Sequence, residues 1–157
     1  MKSSAIRIGA LAAGVAAAVV GACESNQRAD AGGQMQNATL DRATGEAEVV
    51  GVAMHADWCG VCKEMGPEIM EARGNVENEP FYFIKADHTN RDNPAAAQTL
   101  EQFGLGSLYQ KNGGKTGVLY LIDAETGEVI RQTGGRGTTS EEITREIERA
   151  LREARRS

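Results

Sequence analysis

Proline, aromatic residues, histidine and clustered positive charge are all scarce in this chain. Only 3 of its 157 residues are proline, none of them beyond Pro94, and 4% are aromatic. With 19 Gly and no triplet period, neither a collagenous nor a proline-rich extended chain is possible. Three cysteines are too few to staple a chain of this length, so 41% apolar content has to supply a packed core, of a size that fits one domain. The formal net charge is −5, and the only basic cluster, Arg152, Arg155 and Arg156, is interrupted by Glu153. A nucleic-acid partner is excluded on that ground, because a polyanion needs a basic face to displace its counterions. The 2 His, His55 and His88, stand apart and do not complete the four-ligand set of a structural zinc site. Lys63 follows Cys62 where a haem-attachment motif requires histidine. The Asp87–Asp92 segment lacks the glycine of a calcium loop, and Gly134-Gly135-Arg136-Gly137 lacks the Lys-Ser/Thr of a phosphate loop; both read as turns. Met35, Met54, Met65 and Met70 are dispersed and read as tether or core residues.

What is present begins with a targeting segment. Lys2 and Arg7 precede an uncharged run from Ile8 to Ala22, which is shorter than the roughly 20 residues a membrane-spanning helix needs and suits the apolar part of a secretory signal. Val20-Gly21-Ala22-Cys23 then resembles the lipobox of bacterial lipoproteins. That resemblance implies cleavage before Cys23, acylation of Cys23, anchorage in a lipid bilayer and residence in the cell envelope. Glu24 in place of aspartate points to the periplasmic face of an outer membrane. The expected organisation is a signal peptide over 1–22, a flexible polar tether over 23–37 and a folded domain over 38–157.

Within that domain, Leu40 to Gly45 reads as the end of a short helix. Glu48 to Met54 is a near-continuous apolar run suited to a central strand covered on both faces. A helix is predicted from about Cys59 to near Gly74, with Pro67 inside it. Phe81 to Ile84 forms the next strand, and Pro94 opens a helix running to Phe103. The glycine-rich stretch from Gly104 to Gly117 is expected to be irregular. Val118 to Ile122 and Val129-Ile130 form a hairpin about Glu125-Thr126-Gly127. Thr139-Ser140-Glu141-Glu142 is a capping box opening an amphipathic helix whose apolar face is Ile143, Ile147, Ala150, Leu151 and Ala154. Glu141 with Arg145 and Glu148 with Arg152 are expected to pair on its wet side.

Asp57-Trp58-Cys59-Gly60-Val61-Cys62-Lys63 carries the chemistry. A Cys-x-x-Cys that follows a buried strand and opens a helix puts Cys59 at the helix N-terminus, where unpaired N–H groups and the helix dipole favour a thiolate. Cys59 is then the exposed nucleophile, and Cys62, one turn inside, is placed to close a disulfide with it.

The segment resembles the thioredoxin superfamily. The likeness includes Trp58 before the motif, Lys63 after it, Pro67 five residues beyond Cys62 and Asp87 closing the next strand. It implies an α/β three-layer sandwich, with a central mixed sheet flanked by helices, and a thiol–disulfide oxidoreductase working through Cys59 and Cys62. Trp58, Gly60, Val61, Lys63 and Pro67 support the site. It also implies protein disulfide or thiol substrates, a membrane disulfide reductase as electron donor, and neither cofactor nor metal. Two positions depart from the family. No proline stands near Thr116-Gly117, where the family has a cis-proline facing the disulfide, and Ala53 occupies the place of its buried acid. Substrate grip is expected to suffer at the first, and Gly117→Pro to alter partner reduction. The alternatives are copper delivery through Cys59, Cys62 and one histidine, a redox-inert thioredoxin-like adaptor, and a structural lipoprotein stapled by Cys59–Cys62. The last is disfavoured because so short a loop restrains little of the unfolded chain.

Overall fold

The computed structural model describes residues 44–90, 92 and 95–157. The signal segment, the tether, Cys23 and Pro94 lie outside the described residues, as does most of the Leu40–Gly45 segment expected to end a short helix. Gly45 itself has φ 68°, the left-handed backbone on which a helix commonly stops.

Four strands and four helices follow among the described residues: β1 (Val49–His55), α1 (Gly60–Asn75), β2 (Phe81–Asp87), α2 (Ala95–Gln102), α3 (Gly106–Asn112), β3 (Val118–Asp123), β4 (Val129–Gly134) and α4 (Ser140–Ala154). The sheet order is β2-β1-β3-β4. β1 runs parallel to β2, with His55 opposite Asp87, and antiparallel to β3, which pairs antiparallel with β4. This is a mixed sheet.

β1 is interior to the sheet and is buried from Val49 to Met54. Its alternate residues face opposite layers. Val50, Val52 and Met54 join Leu100, Leu105 and Leu108 of the α2–α3 side, whereas Val49 and Ala53 join Met65 and Ile69 of α1 and Ile143 and Ile147 of α4. The result is three layers, α/β/α. Gly51 leaves room for the Phe81 ring on the second face, where a Cβ would lie 2.5 Å from the ring tip and displace it.

The hairpin turn between β3 and β4 is made by Asp123, whose buried carboxylate accepts the amides of Glu125 and Thr126 at 2.9 Å each. β4 is longer than its two apolar residues suggest, continuing through Arg131, Gln132 and Thr133 to Gly134. Arg131 reaches from it to Glu146 of α4 at 2.7 Å and also pairs with Glu153.

The last helix follows its sequence signals closely. Thr139 caps α4 and forms the reciprocal capping box with Glu142. Ile143, Ile147, Ala150 and Leu151 are buried, and Ala154 packs against them. Full burial of each of the three large side chains contributes on the order of 1.5–3 kcal/mol. Glu148 and Arg152 pair at 3.9 Å as expected. The α4 terminus is also tied to α1, where Glu68 accepts the Ser140 amide at 2.7 Å. Thr139→Ala is expected to lose about 1 kcal/mol of unfolding free energy, read as a lower urea midpoint with unchanged slope.

One expectation fails. Within the stretch read as irregular, Gly106–Asn112 is helical. Leu105 precedes it without a side-chain cap bond, and only Leu108 within it is buried, so neither a cap signal nor an apolar period marks α3 in the sequence.

Candidate active site: a helix-capping disulfide

β1 ends at His55, and the chain turns through Ala56, Asp57 and Trp58 before α1 begins. Thr89, in the loop after β2, holds that turn. Its hydroxyl accepts the Asp57 amide at 3.0 Å, and its carbonyl accepts the Trp58 indole N–H at 3.1 Å. Cys59 is the N-cap residue of α1, and its Sγ accepts the Cys62 amide at 3.1 Å. The sulfur therefore occupies the position where a capping oxygen usually satisfies the first helical N–H groups. Cys59 and Cys62 are joined in a disulfide, with their Cα atoms 5.2 Å apart.

Cys59 is less open than the sequence suggests. It is 8% exposed and Cys62 4%, against 47% for Trp58. Val61 and Ala56 pack on the sulfurs, and Gly117 closes the remaining side. A Cβ at Gly117 would stand 3.7 Å from Cys59 Sγ and 2.7 Å from Val61 Cγ1. The Gly117 amide donates to the Met54 carbonyl at 2.9 Å, and Cys62 Sγ lies 3.8 Å from that same oxygen.

The loop expected to face the disulfide does so, with glycine at φ 77° in place of proline. Proline cannot simply be restored there, because its ring fixes φ near −65° and it has no N–H for Met54. Among the other expected site residues, Gly60, Lys63 and Pro67 are exposed along α1, and Thr116 is half-buried beside Gly117. Pro67 leaves the Lys63 carbonyl without its helical donor.

The two carboxylates flanking the motif are paired. Asp57 Oδ1 lies 3.1 Å from His55 Nε2, and Glu64 forms an ion pair with Arg136 from the loop before α4. Among the described residues no three His, Cys, Asp or Glu side chains converge as a metal site would require. Beneath the disulfide a cavity of about 270 Å³ is lined by Cys62, Ala53, His55, Met65, Phe83 and Lys85, among others. Met54 and Met70 also line it. Met54 and Met65 are core residues as expected, but Met70 is 59% exposed. His55 and Thr89 are the residues that reading along the chain undervalues. Strand alternation from Ala53 was the available signal for His55, whereas Thr89 reaches the site only through the β1–β2 pairing.

His88 adds a pH-dependent element behind the turn. It is 8% exposed, its ring stacks on Tyr109 at 5.6 Å, and its Nε2 has no hydrogen-bond partner among the described residues. Burial pushes its pKa below the ordinary imidazole value, with Asp87 opposing. The unfolded chain therefore takes up a proton that the folded chain resists, and stability is lost as pH falls below about 6.5. His88→Phe keeps the stacking ring and is expected to flatten that loss, read as denaturation midpoints at about pH 7.5 and about pH 5.

A Cys-x-x-Cys disulfide capping the helix after a central strand, on a three-layer α/β fold, defines a thioredoxin-like thiol–disulfide oxidoreductase domain. The Thioredoxin family model matches residues 34–128, and the chain belongs to that family. It is 35% identical over 89 residues to a probable protein disulfide-isomerase ER-60 of Schistosoma mansoni, covering 55% of this chain and 18% of that protein. It is 32% identical over 96 residues to a protein disulfide-isomerase of Datisca glomerata, covering 60% of this chain and 16% of that one. The chain thus spans less than a fifth of the length of either relative. Among solved structures it is similar to Trxlp from Edwardsiella tarda EIB202, with 21% identity, a TM-score of 0.49 and coverage of 70% of this chain and 91% of that one.

Proposed function

We propose that this protein is a lipid-anchored thiol–disulfide oxidoreductase of the cell envelope that reduces disulfides in other proteins. The observation that carries the redox part is the position of Cys59 Sγ, which accepts an α1 amide at 3.1 Å. In the dithiol form that amide and the helix dipole stabilise a Cys59 thiolate, which attacks a substrate disulfide and forms a mixed disulfide. Cys62 then attacks Cys59 Sγ, re-forming the Cys59–Cys62 bond and releasing the second substrate thiolate.

The reducing direction rests on how little extra stabilisation the thiolate receives. Strong oxidants hold theirs far below the ordinary thiol range. Here Gly60 and Val61 separate the cysteines, and the Asp57 and Glu64 carboxylates flank the motif, each with its own cationic or imidazole partner. Anchorage rests on Val20-Gly21-Ala22-Cys23, and the electron donor in that compartment is a membrane disulfide reductase. Equilibration with a thiol buffer, followed by alkylation and mass measurement, is expected to give a potential near about −270 mV; about −120 mV would make the protein an oxidant. Intact mass of the mature protein is expected to show diacylglycerol on Cys23. A soluble product beginning elsewhere would end the anchorage reading.

A further inference from the structure

We propose that His55, oriented by Asp57, accepts the proton of the Cys62 thiol and later returns it to the departing substrate thiolate. The inference deepens the thiol–disulfide reading above and rests on it.

Cys62 has to become a thiolate while it is 4% exposed and enclosed by apolar side chains, surroundings that hold a thiol protonated. Its polar neighbour, the Met54 carbonyl at 3.8 Å, is an acceptor only and cannot carry a proton away. The cavity beside Cys62 supplies the alternative. Among the described residues, and apart from Cys62 itself, the ionisable side chains lining it are His55 and Lys85. A lysine ammonium has no lone pair to offer, and Lys85 is half exposed and turned toward Asp87 at 3.5 Å. An imidazole can accept a proton near neutral pH.

His55 is also held for the task. It occupies the C-terminal end of β1, on the sheet face that Ala53 shares and α1 covers, and its side chain is 21% exposed. Asp57 Oδ1 stands 3.1 Å from Nε2. A carboxylate can only accept, so Nε2 carries the hydrogen in that pair and Nδ1 is left as the basic nitrogen. Among the described residues, the charged groups beside His55 in the sheet come from β2, and His88 follows that strand, its amide donating to the His55 carbonyl at 2.7 Å. Asp87 lies opposite it in register, but its carboxylate is engaged by the Thr89 amide at 2.8 Å and by Lys85. Apart from Cys62, α1 and β3 contribute only apolar residues and glycines to the cavity.

The step balances. In the mixed disulfide between Cys59 and substrate, the Cys62 S–H proton passes to His55, and the Cys62 thiolate attacks Cys59 Sγ. The Cys59–Cys62 bond forms, the bond from Cys59 to the substrate sulfur breaks, and the leaving thiolate receives the proton from the imidazolium. Two electrons have then moved from the protein to the substrate disulfide, with one proton passing through His55; the substrate thiolate released when the Cys59 thiolate attacks takes its proton from water, which received the Cys59 proton earlier.

The test is a single turnover of the reduced full-length protein with excess disulfide-bonded insulin, followed through the fluorescence of Trp58, the chain's 1 Trp. Attack is separated from resolution by substrate dependence. In the unaltered protein the resolution rate is expected to show an inflection with pH. In His55→Gln that rate is expected to fall about 10²-fold at neutral pH and lose the inflection, with attack unchanged. Lys85→Gln is expected to keep both. Asp57→Asn, at a position 73% exposed and so safe for folding, is expected to slow resolution without slowing attack. An unchanged profile in His55→Gln, an unchanged resolution rate in Asp57→Asn, or loss of the inflection in Lys85→Gln would each overturn the inference. Failure of the unaltered protein to turn over any disulfide would instead overturn the oxidoreductase reading beneath it.

Discussion

Replacing either cysteine with serine is expected to abolish disulfide turnover, yet the two variants should leave different traces. Cys62→Ser retains the sulfur that caps α1, so it should attack substrates once and stop, accumulating mixed disulfides visible on non-reducing gels. Cys59→Ser retains only the Cys62 sulfur, which caps no helix and is 4% exposed against 8% for Cys59, and should accumulate none. The asymmetry follows from the cap: Cys59 Sγ receives the Cys62 amide at 3.1 Å, whereas Cys62 Sγ faces the Met54 carbonyl, which repels a thiolate. Trapping by Cys59→Ser and not by Cys62→Ser would mean that the second sulfur is the one substrates reach.

Any side chain at Gly117 is expected to be the most destabilising single change near the disulfide. Alanine there is strained at φ 77° and brings a Cβ to 2.7 Å from Val61 Cγ1. The left-handed backbone alone costs roughly 1–2 kcal/mol, and crowding raises the total to about 2–4 kcal/mol. Gly117→Pro should be worse, since it also removes the amide that donates to Met54 at 2.9 Å. Urea titration of the oxidised protein measures both. The double variant Val61→Ala with Gly117→Ala should recover the share of the crowding due to Val61 Cγ1 and leave the backbone part together with the tight approach to the residue 61 Cβ at 3.0 Å. A Gly117→Ala protein as stable as the original would show that the loop can retreat from the disulfide at little cost.

These two predictions also mark how far the sequence alone could go. Cys59 as a helix cap was legible because a buried strand, a short turn and a Cys-x-x-Cys can be assembled in one way only if the helix starts at the motif. α4 was legible because Thr139, Glu142 and the apolar period from Ile143 agree with one another. The doubly covered strand β1 declared itself as an unbroken apolar run. α3 did not, because glycines at 104, 106, 113 and 114 mask a helix of 7 residues whose place is fixed by Leu108 entering the core. The outer half of β4 is polar and pairs on a sheet edge, where alternation is weak. Counting residues could bring Gly117 near the disulfide but could not supply its φ. The pairing of His55 with Asp57 depends on the turn after β1, and the cavity lined by Met65 and Met70 depends on how α1 lies across the sheet.

The direction of β1 decides which way the molecule looks. The disulfide follows its C-terminal end, while the chain arriving from residue 44 enters at Val49, at the other end of a strand of 7 residues, about 23 Å away. Arg155, just past α4, closes that opposite end by pairing with Glu48 at 2.6 Å and Glu79 at 3.1 Å, ahead of β1 and β2 respectively. A protein that reaches the sulfurs therefore meets the end of the sheet that neither the entering chain nor the Arg155 ion pairs occupy.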